Sequence, residues 1–398
     1  MKILIIDTVC GYGSTGKIVV DLASEYEKAG HDCVIAFGRG KAKGYGKVYK
    51  IGTTIGIYYH ALMTRLFDTH GKHSKMATKK FIKYIDEFAP DIIHLHNIHG
   101  YFLNYEYLFK YIKNKNSKVV WTLHDCWSFT GHCAYFDVAG CFKWQTNCQN
   151  CPQKHSYPKS WLLDGSKRNF LDKKAAFEYG NVIIVTPSLW LKELVGQSFL
   201  KNNRTEVIPN GIDIEKIKCL KEDFRNDNRL AGKKIILGVA NLWDYRKGLD
   251  SFLALSKMIN KDEIIVLVGV SKAQLKKLPD NIVGIKRTDS FSQLIDIYKS
   301  ADVFVNPTLE DNYPTVNIEA IISGTPVVTY NTGGSPESLL GKYGLIVEKG
   351  NVEELYKAIT AILKDGKEKY LIGTDKKYFS YKYMSEQYLN IFKKEFRT

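Results

Sequence analysis

The 398 residues are 44% apolar and 25% charged, the proportions of a globular protein in water, and a chain of this length exceeds what one core usually holds. Lysine and arginine outnumber aspartate and glutamate by 57 to 42, a net charge of +15, which favours polyanionic company: nucleic acid, anionic lipid or a phosphorylated substrate. No uninterrupted apolar run is long enough to span a bilayer. No zinc-finger spacing, ribonucleoprotein motif or arginine-rich tract points to nucleic acid.

The opening run KILIID (2–7) meets Asp7 after four apolar residues, so it reads as a first strand and not a signal peptide. A cytoplasmic chain with reduced thiols is therefore expected. A glycine loop follows, then a helix expected from about Thr15 to Ala29. Between Ile57 and Tyr84 basic and aromatic residues mix at helical spacing. They make either a membrane-surface face or an ordinary helix with its apolar side in the core. Apolar runs recur at DCVIAFG (32–38), DIIHLHN (91–97), SKVVWTLHD (117–125), NVIIVTPS (181–188) and EVIPNGID (206–213). A charged connector over Glu215–Lys233 precedes a second series: KIILGVAN (234–241), EIIVLVG (263–269), NIVGIK (281–286), ADVFVNP (301–307), TPVVTY (325–330) and GLIVE (344–348). Short β-rich runs alternating with helical stretches predict βαβ units, hence α/β domains on parallel sheets. Two domains are expected, 1–210 and 211–375, with a cysteine-rich insertion at 126–160 in the first and a helical, aromatic tail over 376–398.

The glycine loop Gly11-Tyr12-Gly13-Ser14-Thr15-Gly16-Lys17-Ile18 has the glycine spacing of a dinucleotide fingerprint, but Gly38-Arg39 stands where an acid should end the second strand. It has the glycines and lysine of a P-loop, but Ile18 replaces the magnesium-holding hydroxyl. Both are rejected. What survives is a backbone able to approach an anion at a helix N-terminus. Five of the eight cysteines fall between Cys126 and Cys151. Cys148 and Cys151 have the two-residue spacing of a tetrahedral ligand pair, and Cys133 and Cys141 would complete a structural Cys₄ zinc site. The alternative is a set of buried thiols lining an insertion loop.

The densest signal is Thr308–Glu337, TLEDNYPTVNIEAIISGTPVVTYNTGGSPE: after a strand at Ala301–Asn306 that ends at Pro307 come an acidic loop, a helix carrying Glu319, a second buried strand and a glycine turn. Ligands of open α/β sheets bind beyond the carboxyl ends of strands, where helix N-termini attract phosphate. The segment resembles the donor-site signature of retaining glycosyltransferases of family four, in which two acids eight positions apart precede a GTPVV strand. Asp311 and Glu319 take those positions, and the wording resembles the colanic acid and exopolysaccharide subgroup.

The resemblance implies the GT-B fold, two Rossmann-like domains with the active site between them and the C-terminal helix crossing back to the first. It implies a nucleoside diphosphate sugar donor, linked to uridine or guanosine, and a glycan or polyprenyl-linked acceptor; the basic surface adds the expectation of peripheral attachment to anionic membrane where such an acceptor lies. Glu319 would bind ribose hydroxyls and Asp311 sugar hydroxyls. The amides around Thr315 and Val316, with Arg246 and Lys247, would carry the diphosphate. In the stretch Asn241–Gly248 the pair Lys247-Gly248 aligns with the family, while the arginine is displaced to Arg246 and Asn241 stands at its usual place. Gly13 and Ser14 would face the donor phosphates or the acceptor. His124, ending a first-domain strand, would orient a hydroxyl; His94, His96 and His99 end another strand nearby. No metal-binding acid motif of the other glycosyltransferase fold appears, so no cofactor is expected for catalysis. A sugar-nucleotide epimerase on the same fold and a non-catalytic anion-binding protein are the competing expectations.

Overall fold

The computed structural model describes residues 1–218, 224–227, 230–371, 373 and 375–395. The chain forms two compact units, Met1–Asn210 with Tyr381–Thr398, and Gly211–Ser380.

The first unit runs β1 (Lys2–Val9), α1 (Gly13–Lys28), β2 (Asp32–Arg39), β3 (Val48–Lys50), α2 (Thr54–Phe67), α3 (Lys75–Phe88), β4 (Ile92–Leu95), α4 (Tyr105–Lys115), β5 (Val119–Thr122), α5 (Ser166–Phe177), β6 (Val182–Thr186), α6 (Leu189–Gln197) and β7 (Thr205–Val207). All pairings are parallel, in the order β3-β2-β1-β4-β5-β6-β7. The apolar runs become strands because alternate residues feed two cores, one on each face. Leu4, Ile6, Ile93, Leu95, Val119 and Trp121 enter one, and Ile3, Ile5, Ile35, Ile92, Val120 and Val185 the other. Sequence reading missed β3, a three-residue edge strand with little apolar content. It also started α1 two residues late.

The second unit holds α7 (Ile214–Lys218), α8 (Phe224–Asp227), β8 (Lys234–Val239), α9 (Leu249–Leu255), β9 (Glu263–Val268), α10 (Lys272–Leu275), β10 (Ile282–Ile285), α11 (Phe291–Ser300), β11 (Val303–Asn306), α12 (Thr315–Ile322), β12 (Val327–Tyr330), β13 (Gly344–Val347) and α13 (Val352–Asp365). Its sheet is parallel in the order β10-β9-β8-β11-β12-β13, again with a core on each face. Short helices occupy part of the expected charged connector; its residues 219–223 and 228–229 lie outside the described ones.

The tail forms α14 (Tyr381–Glu395), later than expected because Asp375–Phe379 is a separate 3₁₀ turn; residues 396–398 lie outside the described ones. Met384, Tyr388 and Phe392 of α14 share the first unit's core with Leu22 and Tyr26 of α1. The Tyr388 hydroxyl meets Thr122 Oγ1 at 2.8 Å. A helix distant in sequence therefore finishes the first unit.

In each sheet the strand order reverses once, between β1 and β4 and between β8 and β11. The loops leaving those neighbouring strands at their carboxyl ends diverge to opposite sides and leave a crevice, which is where open α/β sheets take ligands.

Candidate active site

In the second unit the crevice falls between the loop after β8 and the loop after β11, and these carry the basic turn and the acidic loop. Lys247 Nζ meets Asp311 Oδ2 at 2.5 Å. Arg246 Nη1 donates to the Glu310 carbonyl at 3.2 Å, and the Arg246 carbonyl accepts from Leu309 N at 2.8 Å and from Thr308 Oγ1 at 3.2 Å. Two glycines make this approach possible. Gly248, at φ +77°, lies so close to the Pro307 carbonyl that a Cβ would stand 2.1 Å from its oxygen. Gly333, at φ +55°, lies against Asp311, where a Cβ would stand 1.8 Å from the carbonyl oxygen. Side chains at either position would push the loops apart.

The acidic loop runs into α12, whose N-terminus begins at Thr315 and Val316 without a side-chain cap. Its amides and dipole present partial positive charge there. Glu319 follows one turn later, half-buried, accepting from the Tyr298 hydroxyl at 3.2 Å. Burial, and then the charge of Glu319, push the Tyr298 phenol well above its ordinary range, so it stays a donor. The structure thus brings Arg246, Lys247, Asp311 and the start of α12 together around one loop, with Glu319 on the same helix.

Behind this loop lies a buried polar network that sequence reading missed. Asn317 on α12 accepts from Asn306 Nδ2 at 2.8 Å and donates to Ser335 Oγ at 3.1 Å and Ser338 Oγ at 2.9 Å. Ser335 in turn meets Thr329 Oγ1 at 2.7 Å. Each partner is buried, so the network fixes the N-terminal turn of α12 to β11, β12 and the turn after β12. A polar residue inside an otherwise apolar short helix was the available signal.

In the first unit the crevice lies between the loops after β1 and β4. Gly13 and Ser14 start α1, exposed, at an N-terminus where no side chain caps. His124, just past β5, has Nε2 2.9 Å from His96 Nδ1, and the rings stack at 5.2 Å. Burial lowers His124 to about 4 and His99 adds to this, while Asp125 opposes it; at neutral pH it is an uncharged donor or acceptor. His99 Nε2 faces Asp125 Oδ2 at 3.0 Å, and its Nδ1 meets the Tyr157 hydroxyl at 3.0 Å. Burial raises Asp125, but His99 and the Trp127 amide outweigh it, so the carboxyl ends below its usual range. His94 instead points into the core, to Thr122 Oγ1 at 3.0 Å.

These imidazoles make stability pH-dependent. Burial, first among the causes, lowers His60 and His94 to about 3, and holds His70 and His96 well below 6.5. Unfolding frees each to protonate, so their contribution is complete above about 6.5 and is lost as pH falls toward 3, at up to roughly 1.4 kcal/mol per pH unit each. Asp7 runs the other way: burial raises it to about 6 against three backbone hydrogen bonds, so its contribution is lost as pH rises through 6. The lowered histidines, His124 included, against Asp7 and the raised His132, predict a lower melting temperature at pH 5 than at pH 7.5. Equal melting temperatures at the two pH values would contradict this.

The four expected zinc cysteines, Cys133, Cys141, Cys148 and Cys151, line one cavity with His132 and Trp144. As the side chains stand, no group of three or more His, Cys, Asp or Glu among the described residues is disposed to hold a metal ion.

The sequence model described as Glycosyltransferase Family 4 matches residues 15–216, and that described as Glycosyl transferases group 1 matches residues 233–365. The putative colanic acid biosynthesis glycosyl transferase WcaC of Escherichia coli is 26% identical over 374 residues, 89% of each chain. Among solved structures, sucrose-phosphate synthase from Thermosynechococcus elongatus superposes with a TM-score of 0.72 at 18% identity, over 99% of both chains. Anabaena HepE in complex with UDP gives 0.66 at 15% identity, over 98% of this chain and 99% of that one. These likenesses show the GT-B architecture.

Proposed function

Because the chain belongs to glycosyltransferase family 4, we propose that it transfers a sugar, with retention at the transferred carbon, from a uridine- or guanosine-linked nucleoside diphosphate sugar to a glycan or polyprenyl-linked acceptor in surface polysaccharide assembly. The observation that supports this reading most is the Lys247–Asp311 pair, set across the strand-order reversal of the second sheet beside the N-terminus of α12. Asp311 takes sugar hydroxyls and Glu319 the ribose hydroxyls. Arg246, Lys247 and the Thr315 and Val316 amides take the diphosphate, whose negative charge grows as it leaves; fixed positive groups stabilise that charge. On the first unit Gly13 and Ser14 face the phosphates or the acceptor, and neutral His124 orients a hydroxyl. The acceptor O–H bond and the donor's sugar–phosphate C–O bond break, the new glycosidic C–O bond forms on the leaving-group face, and the departing phosphate oxygen takes the proton. No side chain acts as nucleophile, and in this reading the transfer needs no added magnesium or manganese. UDP-linked and GDP-linked sugars should each be offered with and without acceptor, and nucleoside diphosphate release measured. No release from any donor by the native chain would sink the proposal, as would release unchanged by Asp311→Ala.

The same reading includes attachment to an anionic membrane surface. Among the described residues no helix is long and apolar enough to cross a membrane. However, α2 turns its apolar stripe outward: Ile55 is 82% exposed, Tyr58 72%, Tyr59 55% and Leu62 46%, while His60, Ala61 and Thr64 are buried. That stripe is the opposite of a core-facing helix. The exposed run Trp161-Leu162-Leu163 adjoins it, with Trp161 N donating to the Arg65 carbonyl at 2.6 Å and the Arg65 guanidinium over the Trp161 ring at 5.4 Å. Lys75, Lys79, Lys80 and Lys83 are exposed on α3. Co-sedimentation with acidic vesicles should exceed that with neutral ones at low salt, and Ile55→Ser with Leu162→Ser should abolish the excess. Equal sedimentation with both vesicle types would remove this part of the reading.

A further inference from the structure

We propose that the irregular segment between β5 and α5 is closed by a zinc ion held by Cys133, Cys148, Cys151 and the Nε2 of His132, with Cys141 outside the ligand set. Between Thr122 and Ser166 the only regular structure is a three-residue 3₁₀ turn at Lys143–Gln145. A loop of that length rarely keeps one conformation without a staple or a core of its own.

The ligand set follows from what lines the cavity and how each group is engaged. The Cys133 and Cys151 thiols are hydrogen-bonded to each other, and Cys148 lies within electrostatic reach of both. The Gly131 amide donates to Cys148 Sγ at 3.2 Å, and glycine is needed there because a Cβ would stand 2.2 Å from the Ser166 carbonyl oxygen. His132 is 2% exposed, and its Nδ1 meets Asp68 Oδ1 at 2.6 Å between two side chains with no solvent exposure. Its Nε2 is buried without a hydrogen-bond partner, on a residue that lines the same cavity as the thiols. A buried imidazole with one nitrogen on a carboxylate and the other nitrogen unpartnered has the form of a metal-ligating histidine with its orienting acid. A buried polar atom left unpartnered costs free energy, and a metal bond would remove that cost. Cys141 and Cys151 are both half-buried; what sets Cys151 apart is its hydrogen bond to Cys133.

Three thiolates and a neutral imidazole suit zinc's tetrahedral preference. On binding, three thiol protons leave to solvent, and the ion takes three sulfur lone pairs and one nitrogen lone pair. As the side chains stand, no three of these groups are disposed to hold a metal ion, so the thiols must turn inward to form the shell. The complex carries one net negative charge. Lys173 of α5, whose buried Nζ donates to the Trp127 and Thr130 carbonyls of the segment at 2.6 and 3.0 Å, stands beside it to offset that charge. Closure would fasten the segment to the C-terminal end of α2, because Asp68 caps that helix and also accepts from Gly165 N at 2.8 Å.

The test is metal analysis of the full chain, purified under reducing conditions with zinc supplied. One zinc per chain is expected. His132→Ala and Cys151→Ser should lose it, and Cys141→Ser should retain it. Asp68→Asn, which keeps the side-chain shape, should weaken zinc binding roughly 10–100-fold. Should Cys151→Ser fail to fold, the native chain loaded with cobalt(II) in place of zinc gives an independent readout, the visible absorption of tetrahedral thiolate coordination. Substoichiometric zinc together with no such absorption overturns the proposal. Equal metal loss in Cys141→Ser and Cys151→Ser, or retention in His132→Ala, overturns the ligand set. None of these readouts depends on glycosyl transfer, so failure here leaves the proposed activity standing.

Discussion

Lys247→Ala is expected to lower kcat for sugar transfer by about 10²–10³-fold, the range for removing one preorganised group that meets developing charge. The lysine lies 2.5 Å from Asp311 and emerges from a turn whose Arg246 carbonyl and guanidinium already bind the acidic loop. Its position therefore needs little reorganisation when a diphosphate replaces the carboxylate as its partner. The side chain is a quarter exposed, so its loss should change stability little. The comparison is steady-state transfer by the native chain, Lys247→Ala and Lys247→Arg, with a thermal melt of each. If the lysine meets charge in the transition state, kcat falls while the melting temperature holds, and arginine restores part of the rate. A Lys247→Ala enzyme with native kcat would remove this residue from the chemistry.

Gly333→Ala is the second large effect. The new Cβ would stand 1.8 Å from the Asp311 carbonyl oxygen, and the residue sits at φ +55°. The backbone conformation alone costs on the order of 1–3 kcal/mol for a non-glycine residue. The clash must also displace the Asp311 loop, and a displacement of roughly 1 Å at a positioned group costs about 10²-fold in rate. Gly341→Ala serves as the control, since Gly341 has φ +69° with nothing within 4 Å of a Cβ. Both variants should lose stability in denaturant unfolding, but only Gly333→Ala should lose kcat. A similar kcat loss in both would mean that strain, and not the position of Asp311, limits the reaction.

Much of this site was legible in the sequence because its parts are local. The strand–loop–helix segment around Asp311 and Glu319 carries its own punctuation: Pro307, the acidic loop, the GTPVV strand and the glycine turn. The glycine at 333 is readable as a turn, but its purpose, letting the backbone approach Asp311, depends on a contact between loops and is invisible in one dimension. The same holds for the pairing of Lys247 with Asp311, which the sheet order produces by setting β8 beside β11. The outward apolar stripe of α2 could not be told from a buried one, since periodicity fixes a face without saying what it faces. His132 was passed over for a related reason. Cysteine spacing is a sequence pattern, whereas a histidine becomes a candidate ligand only when its second nitrogen is seen against a carboxylate.

The way α14 finishes the first unit bears on synthesis. The chain leaves for the second unit after Asn210 and returns at Tyr381, entering and leaving through neighbouring segments, with Ile212 bridged to Ser380. A nascent chain on the ribosome thus has every residue of the later-numbered lobe before it has Met384, Tyr388 and Phe392, which the earlier lobe's core requires. Until then the apolar surface of α1 is uncovered. A messenger cut short before α14 would therefore yield a well-formed second lobe attached to a first lobe with an open, adhesive seam.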